Sequence, residues 1–246
     1  MILDLSPLGL AWMVLAIFVA GFVRGYSGFG FSAMTIAASS VVTNPLQFVA
    51  IVVIWEMVMT GQVFRGIGKD IDWRRVLSLL AGAVVGLPVG LWALTSIPDN
   101  WARAVISGYV LAMCIVLMRG WRIGHDVGIG AHVAVGVASG LANAPGMGGL
   151  PVAAFFAAQS MAPAVFRATL VSYFPLLDLY SSPIYWLHGM VTWDTLKVSL
   201  IGLPLVLFAN WLGSRHFLKT DPQDFRRFAI LLLAGLAALG LVKAVL

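Results

Sequence analysis

Long apolar runs separated by short polar gaps make up almost the whole chain. Breaks at charged residues, prolines and glycines divide it into ten candidate segments. These are 8–23, 27–42, 46–64, 76–95, 101–118, 129–142, 149–162, 164–187, 195–213 and 227–245. A helix needs about 20 apolar residues to cross a bilayer, so the pattern predicts that the first, second, sixth and seventh segments are short. The short segments occupy matching places in the two halves of the chain.

Composition places this pattern in a lipid environment. Apolar residues make up 61% of the chain and charged residues 10%, whereas charged residues are about a quarter of a soluble protein. A soluble core of this length could not cover so much apolar surface. The sequence therefore predicts an all-α polytopic membrane protein in contact with lipid. The first run lacks the basic flank and cleavage site of a signal peptide, so we interpret it as a retained span.

The sequence lacks the polar and charged motifs of several classes of function. The formal charge is +5, but the basic residues lie in short gaps rather than on one face, so nucleic acid is not a predicted partner. Cys114 is the single cysteine, and His125, His132 and His188 show no spacing typical of metal ligands. The chain has no Walker sequence. We therefore predict no cofactor, no metal and no ATP-driven transport by this chain alone.

The distribution of basic residues predicts the topology. If all ten segments cross or re-enter the membrane, twelve Lys and Arg lie on one side and three on the other. Basic loops face the cytoplasm, so both termini are predicted to lie outside it, with the protein in the cell (inner) membrane. Merging each short pair into one span gives eight spans and places the basic loop 215–227 opposite the loop 65–75. The charge rule therefore favours ten segments.

The two halves resemble each other in the order of their landmarks. The matching pairs are Gly21 with Gly136, Gly25 with Gly140, Trp73 with Trp193, Gly82 with Gly202 and Arg103 with Arg226. They divide the chain into a first repeat, 1–123, and a second, 124–246. Each repeat contains five segments, an odd number, so the repeats are predicted to be inverted in the membrane, as is common in secondary transporters.

A Gly-rich break near the start of each repeat is the first candidate site. Glycine and proline interrupt helical bonding, and unwound backbone at membrane depth survives only where it lines a protein-enclosed or watery cavity. Helix ends at such a break present free N–H groups that suit an anion at the midplane. Close helix packing through Gly21, Gly25, Gly136 and Gly140 is the alternative. The predicted binding residues in the breaks are Gly25, Ser27, Gly28, Gly30, Asn143, Gly146, Gly148 and Gly149.

Two acids lie inside apolar runs, Glu56 and Asp178. A carboxylate at a helix centre costs roughly 2.5 to 3.5 kcal/mol on insertion scales, so each acid needs a partner or a function. In the functional interpretation, these acids take up and release protons during transport, so both are predicted proton-coupling residues. A buried acid paired with Arg, Tyr or a backbone amide is the structural alternative.

Arg24 and Arg167 are the third candidates, the first beside a break and the second at the start of the eighth segment. A planar guanidinium binds oxyanions through two parallel hydrogen bonds, so both are predicted substrate-binding residues. The alternative is that each side chain reaches the cytoplasmic headgroups, since both were counted among the basic residues of that side.

The break AGFVRGYSGFGFSAMTIAASSVVTNP and its echo GVASGLANAPGMGGLPVAAFFAAQSMAP resemble the TauE/SafE family of membrane transporters. The resemblance extends over nearly the whole chain through the repeat plan. It implies a secondary transporter for sulfite, sulfoacetate or related organosulfonates, and not an enzyme. One departure is the second break, which is three residues longer than the first.

Other functions stay open from the residues alone. A non-transporting assembly subunit or a channel would have the same hydrophobic pattern. An intramembrane hydrolase would use Ser27 or Ser32 with a histidine from the second half, because the first half has no histidine. A stripe of glycines at 82, 86 and 90 fits either a homodimer contact or packing within the monomer.

Overall fold

The computed structural model describes residues 5–63, 68–120, 122–123, 127–159 and 161–217. Over these residues the regular structure is entirely helical, with nine α-helices, one 3-10 turn at Gly68–Asp70 and no strand, which confirms the all-α prediction. The helices are α1 Pro7–Ser27, α2 Phe31–Val42, α3 Leu46–Val63, α4 Trp73–Thr95, α5 Asp99–Arg119, α6 Ile129–Asn143, α7 Gly149–Ala157, α8 Pro163–Leu187 and α9 Trp193–Phe217. The tenth segment, 227–245, and Arg226 lie outside the described residues.

Helix lengths agree with the sequence pattern except at the first segment. The second, sixth and seventh segments form helices of 12, 15 and 9 residues, as short as predicted. The prediction of a short first segment is wrong, because α1 runs for 21 residues. Gly21 and Gly25 lie inside this helix without interrupting it. Among the described residues, three stretches are long and apolar enough to cross a membrane: Pro7–Tyr26, Trp73–Thr95 and Trp193–Arg215.

The helices α4 and α6 pack backbone to backbone through glycine. A Cβ at Gly82 or Gly86 would overlap the carbonyl oxygens of Val133 and Val137 in α6. Gly136 meets the carbonyl of Leu79 in α4 with the same closeness. Small residues permit this approach between helices in lipid. The glycine stripe of α4 is therefore used within the monomer, and it does not provide the homodimer contact that the sequence left open.

A second close pair joins α1 to α9, at opposite ends of the described chain. A Cβ at Gly25 would overlap the carbonyl of Asn210, and a Cβ at Gly213 would overlap that of Phe22. This close packing explains why Gly21 and Gly25 are helical glycines rather than part of a break. Helix α1 instead ends at Gly28, whose φ is +83° and whose N–H donates to the Arg24 carbonyl at 2.7 Å.

The centre of the protein, between these two pairs, is formed by helices α2, α3 and α8. Every residue from Phe31 to Ser40 in α2 is buried. The indole of Trp55 in α3 is also buried, and its N–H donates to the carbonyl of Ser199 in α9 at 2.8 Å. Helix α3 packs against α8 as well as against α9. This arrangement places the acids of α3 and α8 in the protein interior.

Candidate functional site

The first Gly-rich break is a turn of three residues between α1 and α2. Gly28 and Gly30 have φ angles of +83° and +93°, a region that side chains with a Cβ rarely adopt. Gly30 is the first residue before α2, and no side chain caps the helix at that position. The break therefore directs the N-terminus of a buried 12-residue helix into the protein.

The second break connects α6 to α7 by a longer turn. Gly146 has a φ of +75°, and its N–H donates to the carbonyl of Asn143 at 2.7 Å. The same carbonyl accepts a short hydrogen bond from the Tyr185 hydroxyl of α8. The Ser139 hydroxyl donates to the carbonyl of Gly148 at 2.6 Å. These bonds fix the turn, and no side chain caps α7 at Gly148.

One small cavity joins the two breaks. Its volume is about 10 Å³, the space that one water molecule needs. Both acids face it, Glu56 from α3 and Asp178 from α8. The lining residues are Gly30, Ser32, Ala33, Glu56, Asn143, Gly146, Gly149, Leu150, Phe174, Leu177 and Asp178. Residues from both halves of the chain thus meet at one polar point, which is closed to anything larger than water in this conformation.

Arg24 lies behind this cavity as the partner of Glu56. Its guanidinium donates to Glu56 Oε1 at 3.0 Å and to the Thr60 hydroxyl at 2.9 Å. Arg24 is 5% exposed and Glu56 7%, so the ion pair is buried. The interpretation of Arg24 as a residue that reaches the headgroups is therefore wrong, because the side chain points into the protein. The structural alternative for Glu56, an acid paired with arginine, holds in this conformation.

Glu56 also occupies the N-terminus of α2. Its carboxylate accepts hydrogen bonds from the backbone N–H and the hydroxyl of Ser32, the second residue of that helix. A helix N-terminus favours negative charge because its first N–H groups have no partner within the helix. The anion position predicted at the first break is therefore filled by an internal carboxylate.

The other side of the cavity carries polar atoms that the described residues leave without partners. Asp178 is 2% exposed, and its Oδ2 accepts no hydrogen bond from the described residues. The Nδ2 of Asn143, a buried donor, likewise has none. Buried polar atoms without partners are rare in native proteins and call for a specific explanation. Here an acceptor and a donor line the same cavity, which is the arrangement that a polar ligand or water requires.

The remaining predicted site residues lie next to the cavity or away from its wall. Arg167 is half-buried and donates to the carbonyl of Gly25 at 3.5 Å, and its side chain also packs against Gly28. Gly25 contacts α9, and Gly148 contacts the side chain of Asn143. The side chain of Ser27 lies outside the described part of the structure. Of the ten predicted binding residues, the cavity is lined by Gly30, Asn143, Gly146 and Gly149.

Sequence reasoning gave no binding role to Phe174 and Leu177. Phe174 lies on α8 four residues before Asp178, so the helical periodicity around the acid could have identified it. Leu177 is the direct neighbour of Asp178, and no periodic pattern marks it. The ring of Phe174 touches Gly149, where a Cβ would come within 2.9 Å of a ring carbon. The aromatic ring thus closes the cavity at the N-terminus of α7.

The geometry gives no support to a hydrolase. His132 and His188 are not among the residues that line the cavity. The Ser32 hydroxyl donates to Glu56 and not to a histidine. A serine nucleophile needs a base within hydrogen-bond reach.

The family assignment agrees with a buried polar site in an apolar helical protein. A family model described as sulfite exporter TauE/SafE matches residues 13–240. The chain belongs to the TauE/SafE family. Comparison with curated proteins and with solved structures gave no match. The match confirms the resemblance seen in the Gly-rich breaks, and it identifies the protein as a membrane transporter of a family of sulfur-anion exporters rather than an enzyme.

Proposed function

We propose that this TauE/SafE protein exports a small sulfur-containing anion, namely sulfite, sulfoacetate or a related organosulfonate. The anion binds between the two Gly-rich breaks, near the bilayer midplane. The observation that carries this proposal is the cavity that Gly30, Glu56, Asn143, Gly149 and Asp178 share. Substrate sites of secondary transporters are commonly built at such helix interruptions.

Three groups supply favourable contacts for a sulfonate or sulfite oxygen. The Asn143 amide offers an N–H without a partner among the described residues. The uncapped N-terminus of α7 adds backbone N–H groups at Gly149. Arg24 adds a guanidinium once its bond to Glu56 is released. The groups come from α1, α6 and α7, so a bound anion would connect both halves of the chain.

Charge balance makes proton binding part of the cycle. With Glu56 and Asp178 both ionised, the two carboxylates outnumber the single positive charge of Arg24 around the cavity. An anion entering this site would meet net negative charge at low dielectric, where repulsion is strong. Protonation of one carboxyl removes the excess. We therefore assign Asp178 as the proton acceptor that permits anion entry, because no ion pair holds its charge within the described structure.

The protonation state of Glu56 also controls whether the anion can bind. While it is ionised, it holds Arg24 at 3.0 Å and fills the N-terminus of α2. When it takes up a proton, it releases the guanidinium and the helix end to the substrate. The proton and the anion are therefore expected to bind together and to cross together.

The packing of the helices supports two inverted repeats and alternating access. Helix α1 packs on α9 through Gly21 and the Val206 carbonyl, and α6 packs on α4 through Gly136 and the Leu79 carbonyl. Helix α3 contacts α9, and α8 contacts α4. Each of these four contacts joins the two halves, and each has a counterpart among them with the halves exchanged. The repeats are 1–123 and 124–246, with five segments each and the tenth at 227–245.

The charge count supports a cytoplasmic position for most basic residues and an external position for both termini. Arg24 is buried, so it is removed from the count of loop residues. Eleven basic residues then lie on the predicted cytoplasmic side and three on the other. The same asymmetry supports insertion in the cell (inner) membrane.

Flux through proteoliposomes tests the proposal. Purified protein is reconstituted, and transport of radiolabelled sulfite and small sulfonates is measured with and without an imposed proton gradient. We expect saturable flux whose dependence on the proton gradient is lost in Glu56→Gln or Asp178→Asn. Gradient-independent flux that survives both substitutions would refute proton coupling. Folded protein that moves no sulfur anion, and that copurifies with a stoichiometric partner, would favour an assembly subunit instead.

A further inference from the structure

A second polar cavity lies where α4 and α6 begin, separate from the central site. Its volume is about 270 Å³, which is near the lower end of the range for small-molecule sites. The lining residues are Asp72, Arg74, Arg75, Ser78, Val127, Gly128, Ile129 and His132. None of these residues belongs to the cavity between the breaks.

The charges around this cavity favour an anion. Asp72 is already neutralised, because it caps α4 and forms an ion pair with Arg75 at 3.1 Å. Arg74 is exposed and forms no ion pair with the described residues, so the described lining residues carry one positive charge in excess. The N-terminus of α6 also lies at this cavity, and no side chain caps the helix at Gly128. Two arginines and an uncapped helix N-terminus thus converge on one space.

His132 adds an independent observation that points to a ligand. It is 4% exposed and lines the cavity. Its Nδ1 is 3.0 Å from the carbonyl of Gly128, and a carbonyl only accepts, so Nδ1 carries the hydrogen. In the tautomer with its hydrogen on Nδ1, Nε2 is an acceptor, and this buried atom has no partner in the described structure. A hydroxyl donor would satisfy it.

We propose that this cavity binds a tetrahedral oxyanion that carries a hydroxyl group. The oxyanion lies between Arg74, Arg75 and the N-terminus of α6, and the hydroxyl donates to Nε2 of His132. Two sources offer this chemistry: the phosphate and glycerol of an anionic phospholipid headgroup, and free hydrogen phosphate. The neighbouring Trp73 is exposed, which suits the level of lipid headgroups. The proposal does not depend on the central transport site.

Binding measurements on the full-length purified protein test the site and its source. Native mass spectrometry compares retention of phosphatidylglycerol with that of phosphatidylcholine, and calorimetry measures sodium phosphate against sodium chloride at equal ionic strength. We expect Arg74→Gln to weaken the preferred probe about tenfold, since it loses a charge-assisted hydrogen bond. His132→Phe should weaken it as well, while the ring keeps its packing on Phe155.

Two matched variants separate the site from general charge effects. Arg119→Gln removes another exposed arginine, one that does not line the cavity. His188→Phe removes a histidine whose Nδ1 makes the same contact, 2.8 Å from the carbonyl of Ile184, but which is exposed and outside the cavity. Both should bind like the unmodified protein.

The outcomes are distinct. A preference for phosphatidylglycerol identifies a lipid headgroup as the source, and binding of phosphate without lipid preference identifies a soluble anion. The proposal is overturned if neither probe binds, or if Arg74→Gln and Arg119→Gln weaken binding equally. Arg74 is exposed, so its substitution leaves the fold intact and keeps the test valid even if His132→Phe is unstable.

Discussion

The buried ion pair between Arg24 and Glu56 gives a measurable stability prediction. Replacing one partner by glutamine leaves the other charge buried, since the two residues are 5% and 7% exposed. Breaking a buried pair in this way costs about 3 to 5 kcal/mol. Arg24→Gln also removes the bond to the Thr60 hydroxyl at 2.9 Å. Each single variant is therefore expected to lower the free energy of unfolding by about 3 to 5 kcal/mol.

The double variant distinguishes a coupled pair from two independent losses. With both residues as glutamine no charge is left unpaired, so the total cost is expected to be smaller than the sum of the two single costs. The coupling energy for contacting residues reaches about 0.5 to 3 kcal/mol, and this buried geometry predicts the upper part of that range. Unfolding in mixed detergent micelles, followed by tryptophan fluorescence, measures all three values.

An exposed pair in the same protein serves as the control. Lys197 and Asp194 are 3.1 Å apart, but their side chains are 69% and 76% exposed. Lys197→Gln and Asp194→Asn are expected to change stability by less than about 1 kcal/mol each, because solvent screens the pair. Additive costs for Arg24→Gln and Glu56→Gln, or single costs as small as those of the exposed pair, would refute the buried-pair reasoning.

Further predictions concern the cavity and the helix packing. If Asp178 carries the proton, flux should fall as pH rises and the carboxylate forms, and Asp178→Asn should remove this dependence in proteoliposomes; a variant with unchanged pH dependence contradicts the assignment. Phe174→Leu should open the cavity beside Gly149 and lower the KM of a larger sulfonate relative to sulfite in competition assays. Gly86→Ala should cost about 1 to 3 kcal/mol because its Cβ meets α6 backbone, whereas Gly61→Ala, with open space around it, should stabilise by up to about 1 kcal/mol in the same unfolding assay.

Local patterns were sufficient to predict the class of the protein and part of its candidate site. The apolar runs and the scarcity of charge predicted helices in lipid, and the family match confirms a membrane transporter. The breaks and the buried acids were recognised because glycine, proline and carboxylates are costly inside a membrane helix. Both acids and four of the ten predicted binding residues line one cavity.

Contacts between residues distant in sequence could not be predicted from these local patterns. Arg24 and Glu56 are 32 residues apart, and a charge count along the chain does not report how deep a side chain lies. Arg24 was therefore grouped with the headgroup arginines. Gly25 was assigned to the break because a glycine that ends a helix and one that packs against another helix look alike in sequence. Only the position of α9 distinguishes them.

The alignment of the two proposed repeats also depends on contacts that the sequence pattern does not report. The sequence pairs Gly82 with Gly202, yet Gly82 faces α6 backbone and Gly202 faces the ring of Trp55. The contacts instead pair Leu79 with Val206, whose carbonyls meet Gly136 and Gly21. The two pairings differ by seven residues, since their partners lie 120 and 127 positions apart. Seven residues are about two helical turns, so the shift keeps the same helix face and leaves the hydrophobic pattern unchanged. Pattern matching alone therefore cannot choose between the registers, whereas backbone contact at a glycine can.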